Sequence, residues 1–118
     1  LKYDKKIAHS FKRFGVHTCN WDATPYLKEI RKLPKVGYLD MGIMSNMKKA
    51  RKMFPQARRA VMYSPQKLKE ADMNEIRADL SKIYQELAPC DVVMADIEYN
   101  TPEDRIKNFL EFCRDLSE

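Results

Sequence analysis

At 118 residues, 44% of them hydrophobic, the chain fits a single small domain with its own core, which excludes a disordered polypeptide. Three cysteines, an odd number with no CxxC pair, exclude a disulfide framework and fit a reducing compartment. The net charge of +5 is modest, and with no signal peptide and no 18-residue apolar run the expectation is a cytoplasmic protein without a membrane segment.

Taken in chain order, the sequence opens on an amphipathic helix expected over Lys5 to Arg13. A short apolar run, Phe14 to Cys19, reads as the first strand, and His17-Thr18-Cys19 closes it. Side chains two apart on a strand point the same way, so an imidazole and a thiol project together from one strand end. That pair is half of a zinc site, because zinc takes N and S ligands and needs at least a third. The plainer reading is a small buried Cys beside a hydrogen-bonded His.

Three further strands are expected at Val36 to Asp40, Arg59 to Tyr63 and Asp91 to Glu98, each followed by a helix. The openings Thr24-Pro25, Ser64-Pro65 and Thr101-Pro102 pair a hydroxyl N-cap with Pro at N1, and Ser45-Asn46 serves the remaining strand-to-helix turn, after Val36 to Asp40. Apolar stripes at Met73, Ile76, Leu80, Ile83 and Leu87, and at Ile106, Phe109, Leu110, Cys113 and Leu116, mark the two longest helices. Cys113 therefore reads as a core residue. The shorter helices offer Leu27, Ile30 and Leu33, then Met47, Ala50 and Phe54, with Met a common gap-filler. Lys48, Lys49, Arg51, Lys52, Arg58 and Arg59 read as a solvated basic face. An RNA contact there ranks last, since no binding motif or series of stacking aromatics accompanies it.

Four consecutive strand-helix units after a leading helix imply parallel strands joined by right-handed crossovers. Two architectures satisfy this, a small open doubly wound sheet and half of an eight-stranded barrel. In either, His17, Cys19, Asn20, Asp40, Tyr63, Ser64, Asp96 and Glu98 share the rim at the strand C-termini. Cys90 begins the last strand, about 20 Å from that rim at roughly 3.3 Å per residue, and is a poor zinc partner for His17.

Val16-His17-Thr18-Cys19-Asn20 followed by Thr24-Pro25-Tyr26-Leu27, the Leu39-Asp40 strand end, and Asn100-Thr101-Pro102-Glu103 with Ile106 resemble the uroporphyrinogen decarboxylase superfamily, in particular its cobalamin-dependent methyltransferase branch. The resemblance covers nearly the whole chain and implies the C-terminal half of a (β/α)8 barrel, residues 1 to 118 forming one half-barrel domain. It implies a zinc site that binds a small thiol substrate as thiolate for attack on a methyl-corrinoid carried by a partner protein. His17 and Cys19 match the family's His-x-Cys pair. The later Cys has no counterpart; its place falls at Ala95 or Asp96, making Asp96 the third metal ligand, with Asp40 or Glu98 completing the site or orienting His17. Tyr63-Ser64-Pro65 also departs from the Gly-Asn turn common in the family.

A half-barrel of this kind is expected to be inactive alone. It should pair with a missing N-terminal half or self-associate as a homodimer, through barrel-facing sides expected near Val16, Leu39, Val61 and Val93. The alternatives are a metal-free decarboxylase-like relative and a non-enzymatic α/β module that docks a corrinoid protein or another subunit.

Overall fold

The computed structural model describes residues 1 to 118 as an α/β unit of four parallel strands and six α-helices. Helix α1 spans Lys2–His9, β1 Phe14–Val16, α2 Leu27–Arg31, β2 Val36–Met41 and α3 Met47–Met53. Then follow β3 Arg58–Met62, α4 Pro65–Glu70, α5 Met73–Leu87, β4 Asp91–Val93 and α6 Glu103–Ser117.

The strands lie in sequence order, β1-β2-β3-β4, each parallel to the next. A doubly wound sheet reverses its strand order at a switch point, and this sheet does not. Right-handed crossovers between sequential strands put every connecting helix on one face. Burial agrees: Leu39, Met41 and Val61 join Leu27, Ile30, Met47, Leu80 and Ile83 in one apolar core. Strand alternation then puts Tyr38, Asp40, Arg58 and Asp91 on the opposite face. There Arg58 Nε and Nη2 donate to Asp91 at 2.5 and 3.1 Å, holding the Asp91 carboxyl below its ordinary range.

That face corrects one expectation. Val16, Leu39 and Val61 pack on the helical side, while Val93 falls with Ala60 and Met62 on the other face beside Tyr38, Asp40, Arg58 and Asp91, so that face is mixed in character. Arg59 is a second correction, because it is a core residue, 3% exposed, and no part of a solvated run. Its guanidinium donates to the carbonyls of Phe54 (2.8 Å), Ala57 (3.5 Å), Leu87 (3.4 Å) and Pro89 (3.1 Å), at the C-terminal ends of α3 and α5. Helix ends leave such carbonyls without partners, and one cation in the strand between them serves both.

Several boundaries also move. Helix α1 ends at His9, where the Ser10 amide and hydroxyl close on Ile7 and Lys6 carbonyls, and the chain turns to give the Phe14 amide to Lys35. Of the hydroxyl-Pro openings, Ser64 alone caps a helix, accepting from the Lys67 amide. Thr24 lies within a 3-10 turn and accepts from the Asn46 amide at 2.8 Å. Thr101 caps nothing; α6 begins after Pro102. The third helix is capped by Asn46 in place of Ser45, and α5 by Asp72 through the Asn74 amide.

Helix α5 buries Ile76, Leu80, Ile83 and Leu87, as its stripe predicts. Helix α6 buries Phe109, half-buries Ile106, Cys113 and Leu116, and leaves Leu110 exposed. Cys113 packs against the core, and burial pushes its thiol above the ordinary range. No helix is long and apolar enough to cross a membrane.

Candidate functional site at the strand C-termini

The carboxylate of Asp40, 1% exposed at the end of β2, organises the end of β1. Its Oδ1 accepts the amides of Thr18 (2.7 Å) and Cys19 (3.0 Å). Oδ2 accepts the Tyr38 hydroxyl at 3.0 Å and His17 Nδ1 at 2.5 Å. Both oxygens therefore carry two donors, which offsets the cost of burying the group. Tyr38 and Asp40 are two apart on one strand and so share a face. Burial, then the neighbouring carboxylate, pushes the Tyr38 hydroxyl up to about 12, so it remains a donor near neutral pH.

The loop after β1 is also stitched to the end of β2 elsewhere. Thr18 Oγ1 donates to the Asp40 carbonyl, the Gly42 amide to the Trp21 carbonyl, and the Ala23 amide to Ser45 Oγ. A Cβ on Gly42 would stand 2.7 Å from the Asn20 carbonyl oxygen, so only glycine lets the loop pass. Strand β1 stops at Val16 for the same reason: the next amides turn to the Asp40 side chain, and Cys19 adopts φ 59°. The simple two-apart strand rule therefore does not carry from His17 to Cys19.

A carboxylate only accepts, so the pairing puts a proton on Nδ1 of His17 and, in the neutral ring, leaves Nε2 with a lone pair. The His17 side chain is 62% exposed, which makes Nε2 available for proton transfer or metal ligation. Asp40 supplies the orienting carboxylate that either role uses. Of the two acids expected to orient His17, Asp40 does so, while Glu98 pairs with Lys69 at 2.7 Å.

Asp96 stands apart from this arrangement. Strand β4 ends at Val93, and Asp96 lies beyond it in an exposed turn with φ 57°. No three His, Cys, Asp or Glu side chains are grouped closely enough to hold a metal ion. His17 and the exposed Cys19 thus offer two zinc donors with an orienting carboxylate, and Asp96 is not brought in as the third. A closed zinc site does not fit the donors of this chain alone. Cys90 immediately precedes β4, at the opposite end of the parallel sheet, and burial raises its thiol.

Sequence reasoning passed over Tyr38 and Gly42, and read Ser45 only as part of a helix opening. Only Tyr38 carried a readable signal, its two-residue spacing from Asp40. No family model, curated protein or solved structure matches the chain, so the resemblance to the decarboxylase and methyltransferase superfamily rests on the quoted residues.

Proposed function

We propose that the chain is the C-terminal half of a (β/α)8 barrel enzyme related to uroporphyrinogen decarboxylase and the cobalamin-dependent methyltransferases. His17, backed by Asp40, is then its reacting group. One observation carries this reading: a singly wound parallel sheet bears a His-carboxylate pair at its strand C-termini, where barrels of this type keep their chemistry. The donor set favours the metal-free, decarboxylase-like relative. Loss of carbon dioxide leaves a carbanion, and a His17 imidazolium delivers the proton from Nε2 to that carbon while Asp40 keeps the ring in place. The second half of the barrel would supply the groups that bind the substrate.

Zinc-dependent methyl transfer to a thiol, with a corrinoid carried by a partner protein, is the second reading. The fixed Nδ1 of His17 and the neighbouring Cys19 favour it, and it takes a third donor from outside the chain. Calorimetric zinc titration separates the two. Two-donor binding should be weak, lost in Cys19→Ser and unchanged in Asp96→Ala. Tight binding that Asp96→Ala abolishes would restore Asp96 as a ligand and reverse the order of the readings.

The half-barrel reading also predicts self-association. Strands β1 and β4 have free edges, and beside β4 an apolar cavity of ≈260 Å³ opens between Leu80, Ile83, Val92, Phe109, Cys113 and Leu116. A further strand beside β4 would fill it. Sedimentation velocity across a dilution series should give a monomer-dimer equilibrium. A monomer at every concentration would favour the self-contained binding module.

A further inference from the structure

We propose that the end of the sheet opposite His17 holds a binding site for a phosphate-bearing small molecule of two or more negative charges. An open cavity of ≈570 Å³ lies there, lined by Lys48, Arg51, Lys52, Arg59, Gln85, Glu86 and two prolines, with no aromatic side chain. Lys48, Arg51 and Lys52 are spaced i, i+3, i+4, so they share one face of α3. None of the three is paired with a carboxylate.

Arg59 decides the sign of the site. The C-termini of α3 and α5 end here, and each carries about half a negative charge that would repel an anion. Arg59 donates to carbonyls at both ends and offsets them. Its own charge has no carboxylate partner, and its Nε has no hydrogen-bond partner although it is buried. What remains is three exposed cations against the single carboxylate of Glu86, a net of about two positive charges once the helix ends are counted.

The lining also says what is recognised. Arg and Lys bind phosphate oxygens by charge-assisted hydrogen bonds, and Gln85 adds a neutral donor. With no aromatic side chain on the cavity, a nucleobase has nothing to stack on. Phosphate groups alone should therefore set the affinity, and pyrophosphate and ADP should bind alike. Single-stranded RNA shares the phosphate chemistry, but it would depend on charge spread along its backbone and not on this one cavity.

Titration calorimetry on the full chain with pyrophosphate, ADP, orthophosphate and a single-stranded RNA oligonucleotide tests this. The expected result is saturable binding of pyrophosphate and ADP within about threefold of each other, weaker orthophosphate binding, and loss of about tenfold or more in Arg51→Glu/Lys52→Glu. Lys2→Glu/Lys5→Glu on α1 makes the same change in net charge and should leave binding unaltered. Both replaced pairs are on the surface, and circular dichroism confirms that each variant is folded. Equal weakening in the two double variants, or no saturable pyrophosphate binding, would overturn the proposal. RNA binding that is much tighter than pyrophosphate and insensitive to Arg51→Glu/Lys52→Glu would overturn it in favour of a diffuse nucleic-acid surface.

Discussion

Replacing Asp40 with alanine is expected to lower stability by about 3 kcal/mol, or roughly 12 °C in melting temperature. The carboxylate is buried and receives four donors, two of them backbone amides that have no other acceptor. Its removal leaves the Thr18 and Cys19 amides and the Tyr38 hydroxyl without partners and frees the ring of His17. Asp40→Asn should cost less, about 2 kcal/mol, because one oxygen still accepts while the new amide group faces donors. Thermal unfolding gives the magnitude. Hydrogen exchange gives the place, with lost protection expected at Thr18 and Cys19 and little change at β3. A fall in stability with those two amides still protected would mean that Asp40 acts through packing alone.

The second large effect is expected at Arg59. Arg59→Leu puts a shorter apolar side chain in the core and strips carbonyls at the ends of α3 and α5 of their donor, at a cost of about 3 kcal/mol. Arg59→Lys should recover only part of this, since a single ammonium cannot span both helix ends as a planar fork does. In urea unfolding the Arg59→Leu midpoint should fall by roughly 2 M with an unchanged slope. An unchanged midpoint would mean that the helix ends find water instead, and that the burial of Arg59 contributes nothing to stability.

Arg58 and Arg59 also illustrate what a sequence of this kind conceals. Side by side in a basic stretch, they point to opposite faces of β3, one to an ion pair with Asp91 and the other beneath two helices. Local charge density suggested solvent for both; strand alternation assigns them differently. Periodic signals fared well: the α5 stripe, the packing of a half-buried Cys113 against the core and the four parallel strands were all legible in the residues.

Element ends fared worse, because long-range bonds decide them. Strand β1 stops where the Thr18 and Cys19 amides leave the ladder for a side chain 22 and 21 residues away. Thr24 looks like a helix cap yet serves the amide of Asn46, a partner no local pattern announces. At the site, the pairing of His17 with a carboxylate was legible as a choice between Asp40 and Glu98. The choice itself was not, since it turns on the register of β1 against β2, which includes an irregularity at Phe14 and Gly15. The expectation for Asp96 rested on a strand running to Glu98; with β4 ending at Val93, its position in the sheet is lost.

Asp40 holds the neutral ring of His17 in one tautomer, with Nδ1 protonated and Nε2 free at the strand-end rim. Nitrogen-15 NMR of the imidazole near neutral pH reads this directly. The predicted result is a slowly exchanging, strongly downfield Nδ1 proton that disappears in Asp40→Asn. A ring protonated on Nε2 but not on Nδ1, or a His17 spectrum identical in the wild type and Asp40→Asn, would contradict it.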